Sequence, residues 1–278
     1  MYTKGMKLPA GKKCVAFITV NLSAEFFWIS LDKKAINMPK TLSLGQYGMS
    51  HGVPRLLNLL DDYGIKATFF TPGKTAETYP EIIKEIADRG HEIACHGYEY
   101  ENMSLLSSTE QRVRIKKAVA AIEKACGKKP KGFRAPIGDL MLETLEIARE
   151  EGMVYSSDLF DDDRPYFMEV NESGDKMLQI PMQWANFDLP YFAFNYRPAF
   201  PTGQGRIANY SNVLSNWKDE FTGHYNHNLC YTMQLDPQTT GSPGRINLVK
   251  EFIEYMSEHE GVWFTTGSEL YEYSLQNI

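Results

Sequence analysis

The sequence holds four cysteines, Cys14, Cys95, Cys126 and Cys230, and no two of them stand at CxxC spacing. That argues against zinc fingers and thioredoxin-like redox motifs. Cys14, Cys95 and Cys230 each lie in or beside an apolar run, the usual setting of a buried free thiol, which suits a reducing compartment. Positive charge is also short. The net charge is -6, and no Lys/Arg stripe is interleaved with aromatics, so nucleic acid is disfavoured as a partner. No apolar stretch approaches the length of a membrane span, so a membrane is no partner either. The first apolar run, Val15 to Val20, is too short for a signal h-region and lacks a small-residue cleavage site; a cytoplasmic protein is the expectation. No Gly-rich dinucleotide fingerprint follows that run. Internal repeats and low-complexity tracts are missing too.

What is present is ordinary globular composition. Of 278 residues, 43% are hydrophobic and 23% charged, enough for a single large domain spanning residues 1–278. Strand-like and helix-like segments alternate. Cys14–Leu22, Lys66–Thr71, Glu92–Cys95, Gly132–Arg134, Val154–Leu159, Leu178–Pro181, Asn228–Gln234 and Val262–Thr265 read as strands. Val53–Tyr63, Glu81–Asp88, Glu110–Cys126 (with Thr109 as cap), Leu142–Glu151 and Ile246–Glu258 read as helices, several of them stopped by glycine. The βαβα order predicts a mainly parallel sheet with helices outside. The number of units favours an irregular parallel α/β barrel of about seven strands. Tyr191–Ser215, rich in Pro, Gly, Asn, Tyr and Phe, is the candidate loop or lid.

Chemistry in a parallel barrel sits at the C-terminal strand ends. Those ends carry Asn21, Ser23 and Glu25, then His96 and Tyr100, then Arg134, Asp158 and Asp161–Asp163, then Trp184 with Asp188, and finally Asp236 in Gln-Leu-Asp-Pro-Gln. Gly90-His91-Glu92-Ile93-Ala94-Cys95-His96-Gly97-Tyr98 resembles the second motif of the polysaccharide deacetylases (the NodB homology domain, carbohydrate esterase family 4). Gly132-Phe133-Arg134-Ala135-Pro136 resembles the third. The stretch from Tyr155 to Tyr166 and the ending from Tyr231 to Arg245 are similar to later regions, so the resemblance runs from about residue 14 to the C-terminus. The pattern is most similar to the branch with peptidoglycan deacetylase-like proteins, a metal-free allantoinase and cyclic imide hydrolases. It implies an α/β barrel of the NodB type.

The departures from that family matter as much. Where the first motif supplies a general-base Asp and a metal-ligand Asp, this chain has Asn21 and Ser23. Where the second supplies a further His, it has Tyr100. Where the last supplies a His that protonates the leaving group, it has Asp236. Asn21 cannot accept a proton, and one imidazole, one hydroxyl and one phenol make a poor divalent site. The resemblance therefore implies a hydrolase of carbon–nitrogen bonds with no metal cofactor, acting on a small cyclic amide, imide or ureide. Glu25, His96, Arg134 and Asp236 are the catalytic candidates. Glu25 or Asp236 would activate water, His96 would hold that water or polarise a carbonyl, and Arg134 would stabilise the oxyanion. Asn21, Ser23, Tyr100, Trp184 and Asp188 are the substrate-binding candidates. Simpler readings compete: Asp236 capping the turn at Pro237, Arg134 as a structural ion-pair partner, Trp184 as core. His224 and His227, with no carboxylate among them, make a weak metal pair. Two other functions remain open, a metal-dependent N-deacetylase of a glycan or amino sugar with a zinc-like ion on His96, and a binding-only pseudoenzyme. A small amide-containing molecule is the expected partner, and the many aromatics could also serve a homo-oligomeric interface.

Overall fold

A computed structural model describes residues 6–192 and 208–278. Its described residues form nine strands: β1 Cys14–Asn21, β2 Thr68–Thr71, β3 Glu92–Cys95, β4 Gly132–Phe133, β5 Tyr155–Ser156, β6 Tyr166–Glu169, β7 Lys176–Gln179, β8 Cys230–Leu235 and β9 Val262–Thr265. They run in the order β6-β7-β5-β4-β3-β2-β1-β8, with β9 paired to β1. Every pairing is parallel except β6 against β7. The sheet curls until its ends meet. Phe187 bridges Gln234 on β8, and the Thr232 hydroxyl donates to the Pro181 carbonyl at 2.7 Å. The result is the expected parallel barrel, with a seam closed by the chain after β7 rather than by a strand pair.

Period-2 alternation sorts the first strand. Cys14, Ala16, Ile18 and Val20 join the layer between sheet and helices, while Val15 and Phe17 join the smaller core inside the barrel. The next inward positions are Thr19 and Asn21, both hydrogen-bonded to Arg134. One strand thus turns from apolar to polar as it reaches the end where chemistry belongs. β1 has only two edges for three partners. β8 fills one along residues 15–20, and β9 and β2 share the other, β9 on 14–17 and β2 on 19–21.

The observed strands are shorter than expected in several places, and β6 was not anticipated. Its side chains are half-buried or exposed, the mark of an edge strand with little pattern. The long helix Ser108–Cys126 is capped by Ser107, not Thr109: Ser107 and Glu110 form a reciprocal capping box, which Thr109, two residues further on, cannot make. Two helices, Tyr210–Asn226 and Gly267–Asn277, were also unforeseen. The first overlaps the expected loop Tyr191–Ser215, whose central residues 193–207 lie outside the described residues.

A near-continuous helical segment precedes Asp62. Pro39–Tyr47 runs through a π turn, Gly48–Gly52, into Val53–Asp62. Three glycines on it let two loops of the barrel mouth approach. A Cβ at Gly45 would lie 2.2 Å from the Glu25 nitrogen, one at Gly48 2.7 Å from the Gln238 nitrogen, and one at Gly52 2.2 Å from the Pro237 oxygen. This segment therefore buttresses the chain after β1 and the chain after β8 together.

Candidate active site

Arg134 directly follows β4 inside the barrel mouth, 1% exposed. Its Nε donates to the Ser157 carbonyl at 3.0 Å and Nη2 to the Ser157 hydroxyl at 2.8 Å. Nη1 donates to Thr19 Oγ1 at 2.9 Å and to Asn21 Oδ1 at 3.1 Å. Four of the five N–H donors of the guanidinium are thereby used on neutral groups. The plane lies over the Phe70 ring, 3.9 Å from its centroid. Among the described residues no carboxylate forms an ion pair with it. Burial pushes Arg134 down to about 10, against the pull of Asp158 nearby. The Asp158 carboxylate itself is held by the Ala135 N–H at 2.7 Å and by the Ser156 hydroxyl. The contact of Arg134 with Asn21 also orients that amide. A guanidinium only donates, so Asn21 turns its oxygen to Arg134 and leaves its nitrogen as a donor toward the mouth.

His96 follows β3 and is fully buried. Its Nδ1 is 2.8 Å from the Arg134 carbonyl oxygen. A carbonyl only accepts, so Nδ1 carries the hydrogen and Nε2 presents a lone pair. That Nε2 is buried without a partner. Burial pushes the imidazole down to about 3, so it stays neutral at ordinary pH. A neutral Nε2 acceptor can hold a water by its hydrogen; it has no proton with which to polarise a carbonyl. The Tyr100 ring meets His96 edge to face at 5.2 Å. Tyr100 stands at φ 64, a left-handed conformation that a bulky side chain adopts only when its surroundings hold it there. Burial raises the Tyr100 phenol well above its ordinary range, and the Asp236 carboxylate raises it further. It therefore keeps its proton. Among the described residues, neither the Tyr100 hydroxyl nor the Asn21 amide nitrogen has a hydrogen-bond partner.

Asp236 directly follows β8 and is 1% exposed. Gln238 Nε2 donates to its Oδ1 at 3.2 Å and to Ser23 Oγ at 3.0 Å, tying the chain after β8 to the chain after β1. Burial pushes Asp236 up to about 6, opposed by hydrogen bonds from Asp188, Gln234 and Gln238 and by the Arg134 charge. Asp188, fully buried, accepts the Asp236 backbone N–H at 2.8 Å.

The structure thus gathers Asn21, Ser23, His96, Tyr100, Arg134, Asp188 and Asp236 at one mouth. Asp188 lies behind Asp236 rather than on an open wall. Glu25 stands apart, its carboxylate accepting the Tyr79 hydroxyl at 2.8 Å. Trp184 is neither core nor deep pocket: it is 65% exposed at the rim and stacks on Phe160 at 5.1 Å. His224 points its Nδ1 at the Glu220 carbonyl within its own helix. Sequence reasoning passed over Thr19, Ser157, Gln234 and Gln238. Gln234 and Gln238 flank Asp236 in Gln-Leu-Asp-Pro-Gln, a local signal that was available. Thr19 and Ser157 had none.

The relatives' metal site is not reproduced in donor chemistry. Its positions hold Ser23, whose oxygen already accepts from Gln238, the neutral His96, and the protonated Tyr100. A buried guanidinium lies alongside. Among the described residues, no three His, Cys, Asp or Glu side chains gather as a ligand set. A divalent ion needs about three nitrogen or anionic donors, and this set does not fit one.

Residues 45–156 match the sequence family described as Polysaccharide deacetylase. A peptidoglycan deacetylase of Helicobacter pylori is 28% identical over 84% of this chain and 86% of its own. A crystal structure of a Mycobacterium smegmatis protein described as a polysaccharide deacetylase superposes with a TM-score of 0.93 at 31% identity, over 99% of this chain and 95% of that one. The allantoinase Puue superposes at 0.82 with 23% identity, over 98% and 93% of the two chains, a likeness of fold. Among the described residues, no helix is long and apolar enough to cross a membrane.

Proposed function

The chain belongs to the polysaccharide deacetylase family of carbon–nitrogen bond hydrolases, and on that footing we propose that it hydrolyses a small cyclic amide, imide or ureide without a metal ion. The observation that carries the reading is an unpartnered, buried His96 Nε2 against Tyr100, with the buried Asp236 carboxylate acting on that same phenol. A water donating one hydrogen to His96 and the other to Asp236 would be aimed at a carbonyl carbon. Asp236, pushed up to about 6, is a carboxylate at neutral pH and suited to take that proton. Glu25, its carboxylate held by Tyr79 apart from His96 and Asp236, is the worse placed of the two bases expected.

In this mechanism the water oxygen bonds to the carbonyl carbon as Asp236 takes its proton. The carbonyl oxygen becomes an oxyanion, held by the Tyr100 hydroxyl and the Asn21 amide nitrogen. Arg134, with four donors engaged, positions Asn21 and the strand ends. The C–N bond then breaks as Asp236 returns its proton to the leaving nitrogen. Neutral donors and acceptors in a buried mouth suit an uncharged planar amide better than an ionic substrate. Trp184 at the rim would meet the outer edge of the ring.

The test is kinetic. Chelator-treated protein is offered cyclic imides, ureides and N-acetylglucosamine oligomers. Turnover of a ring amide is expected, with Asp236→Asn lowering kcat/KM by about 10²–10⁴. Activity within a few-fold of wild type in both Asp236→Asn and His96→Ala would sink the assignment. Turnover that appears only after zinc or manganese is added would overturn metal independence.

A further inference from the structure

We propose that Asp188 is a positioning residue that shares a single proton with Asp236, so the base of this site is one half of an acid–carboxylate pair. The inference rests on the hydrolase reading above and deepens it. Asp188 is fixed from every side. Its N–H donates to the Gln234 carbonyl at 3.1 Å, and its own carbonyl accepts from the Tyr191 and Phe192 nitrogens, both at 3.1 Å. Its carboxyl accepts the Asp236 N–H at 2.8 Å and lies within hydrogen-bonding reach of the Asp236 carboxyl. Neither carboxyl is open to solvent. Asp188 Oδ1 and Asp236 Oδ2 are both covered, and neither meets an N–H or O–H donor from the protein.

Two adjoining carboxylates with no cation on them are costly in a buried site, and one proton between them removes the cost. The charged and polar groups facing the pair decide where it rests. Asp236 receives Gln238 and Gln234 and feels the Arg134 charge, with the neutral Tyr100 phenol beside it. Asp188 receives the Asp236 N–H, while the Thr240 hydroxyl donates to the Asp236 carbonyl at 3.4 Å. The protein stabilises the anion better on Asp236, so Asp188 is the acid and donates to it. This proton stays in the pair through the reaction. Asp236 gains a second from water and loses it to the leaving nitrogen, so the balance is unchanged. The role of Asp188 is to hold the Asp236 carboxyl in one orientation and, by donating to its anion, to keep it ionised at neutral pH.

The experiment is carboxyl infrared spectroscopy on the whole chain at neutral pH, in wild type and Asp188→Asn, beside the pH profile of kcat/KM. The expected result is a protonated-carboxyl band in wild type that Asp188→Asn abolishes. The acid limb of the profile should move up by about one pH unit or less in the variant, because an amide N–H stabilises the Asp236 anion less than the acid O–H it replaces. A purely structural Asp188 would alter stability and leave the limb in place. A wild-type spectrum without the band, or a band untouched by Asp188→Asn, overturns the inference. The wild-type spectrum decides even if the variant does not fold. Since the band needs no turnover, its absence from an active enzyme sinks the shared proton alone, and its presence in an inactive protein leaves the fault with the hydrolase reading.

Discussion

Replacing Arg134 by methionine sets two large effects against each other. Methionine keeps an unbranched apolar stem and lacks the guanidinium, so the change removes the charge and its hydrogen bonds while leaving the stem's packing largely in place. The charge itself is a burden. Burial brings Arg134 from its ordinary 12.5 to about 10, and at ~1.4 kcal/mol per decade this disfavours the buried cation by about 3 kcal/mol. On the other side stand four hydrogen bonds of 3.1 Å or less, to Ser157 twice, to Thr19 and to Asn21, beside a long one of 3.5 Å to Gln234. Bonds from a charged donor contribute about 1.5–3 kcal/mol each, so the set contributes about 6 kcal/mol at the low end. The bonds win by about 3 kcal/mol, and Arg134→Met is expected to lose about that much. With a urea slope of about 3 kcal/mol per molar for a chain of this size, the unfolding midpoint should fall by about 1 M with the slope unchanged. A midpoint equal to or above wild type would refute the reasoning. It would mean that desolvation outweighs the bonds, as in proteins where apolar residues replace buried ions without loss.

Other outcomes follow from local contacts. Gly45→Ala puts a methyl 2.2 Å from the Glu25 nitrogen and 2.3 Å from the Ala24 carbonyl carbon. Backbone must move, so a loss of about 1–3 kcal/mol and a rise in KM from displaced Ser23–Glu25 are expected in denaturation and kinetics; unchanged values in both would contradict the close approach. His91 accepts the Ala67 N–H at 3.1 Å, and burial pushes it down to about 4. The unfolded chain binds this proton near pH 6.5 and the folded chain does not. Stability from this group is therefore complete above about pH 6.5 and lost as pH falls toward 4. His91→Gln should flatten the pH dependence of the unfolding free energy from urea titrations in that window by of order 1 kcal/mol per pH unit; parallel curves would count against a buried neutral His91.

The sequence exposed those parts of the site that are written locally. The alternation from Cys14 to Asn21 marked a strand, and the residues around His96 and Arg134 marked two strand ends with their chemistry. Other features depended on distant partners. Asp188 and Asp236 are 48 residues apart, and neither carries a sign that its partner is another acid. The engagement of Arg134 was equally hidden, since Thr19 and Ser157 look like ordinary strand residues. The helix Tyr210–Asn226 buries Val213, Trp217 and Phe221 on one stripe, but its many polar residues masked that stripe. The last helix was more legible than the reading made it, because Thr266 and Glu269 stand at capping-box spacing.

The seam between the two ends of the sheet has a kinetic side. Asp188 closes it by donating to Gln234, and the same residue accepts the Asp236 N–H. Prising the seam open therefore breaks the barrel closure and separates the two carboxyls in one event. The backbone amides of Asp188 and Asp236 are locked by those two hydrogen bonds, so their exchange with deuterium counts how often the seam parts. The slowness of that exchange is then a clock for how long the site stays assembled between openings.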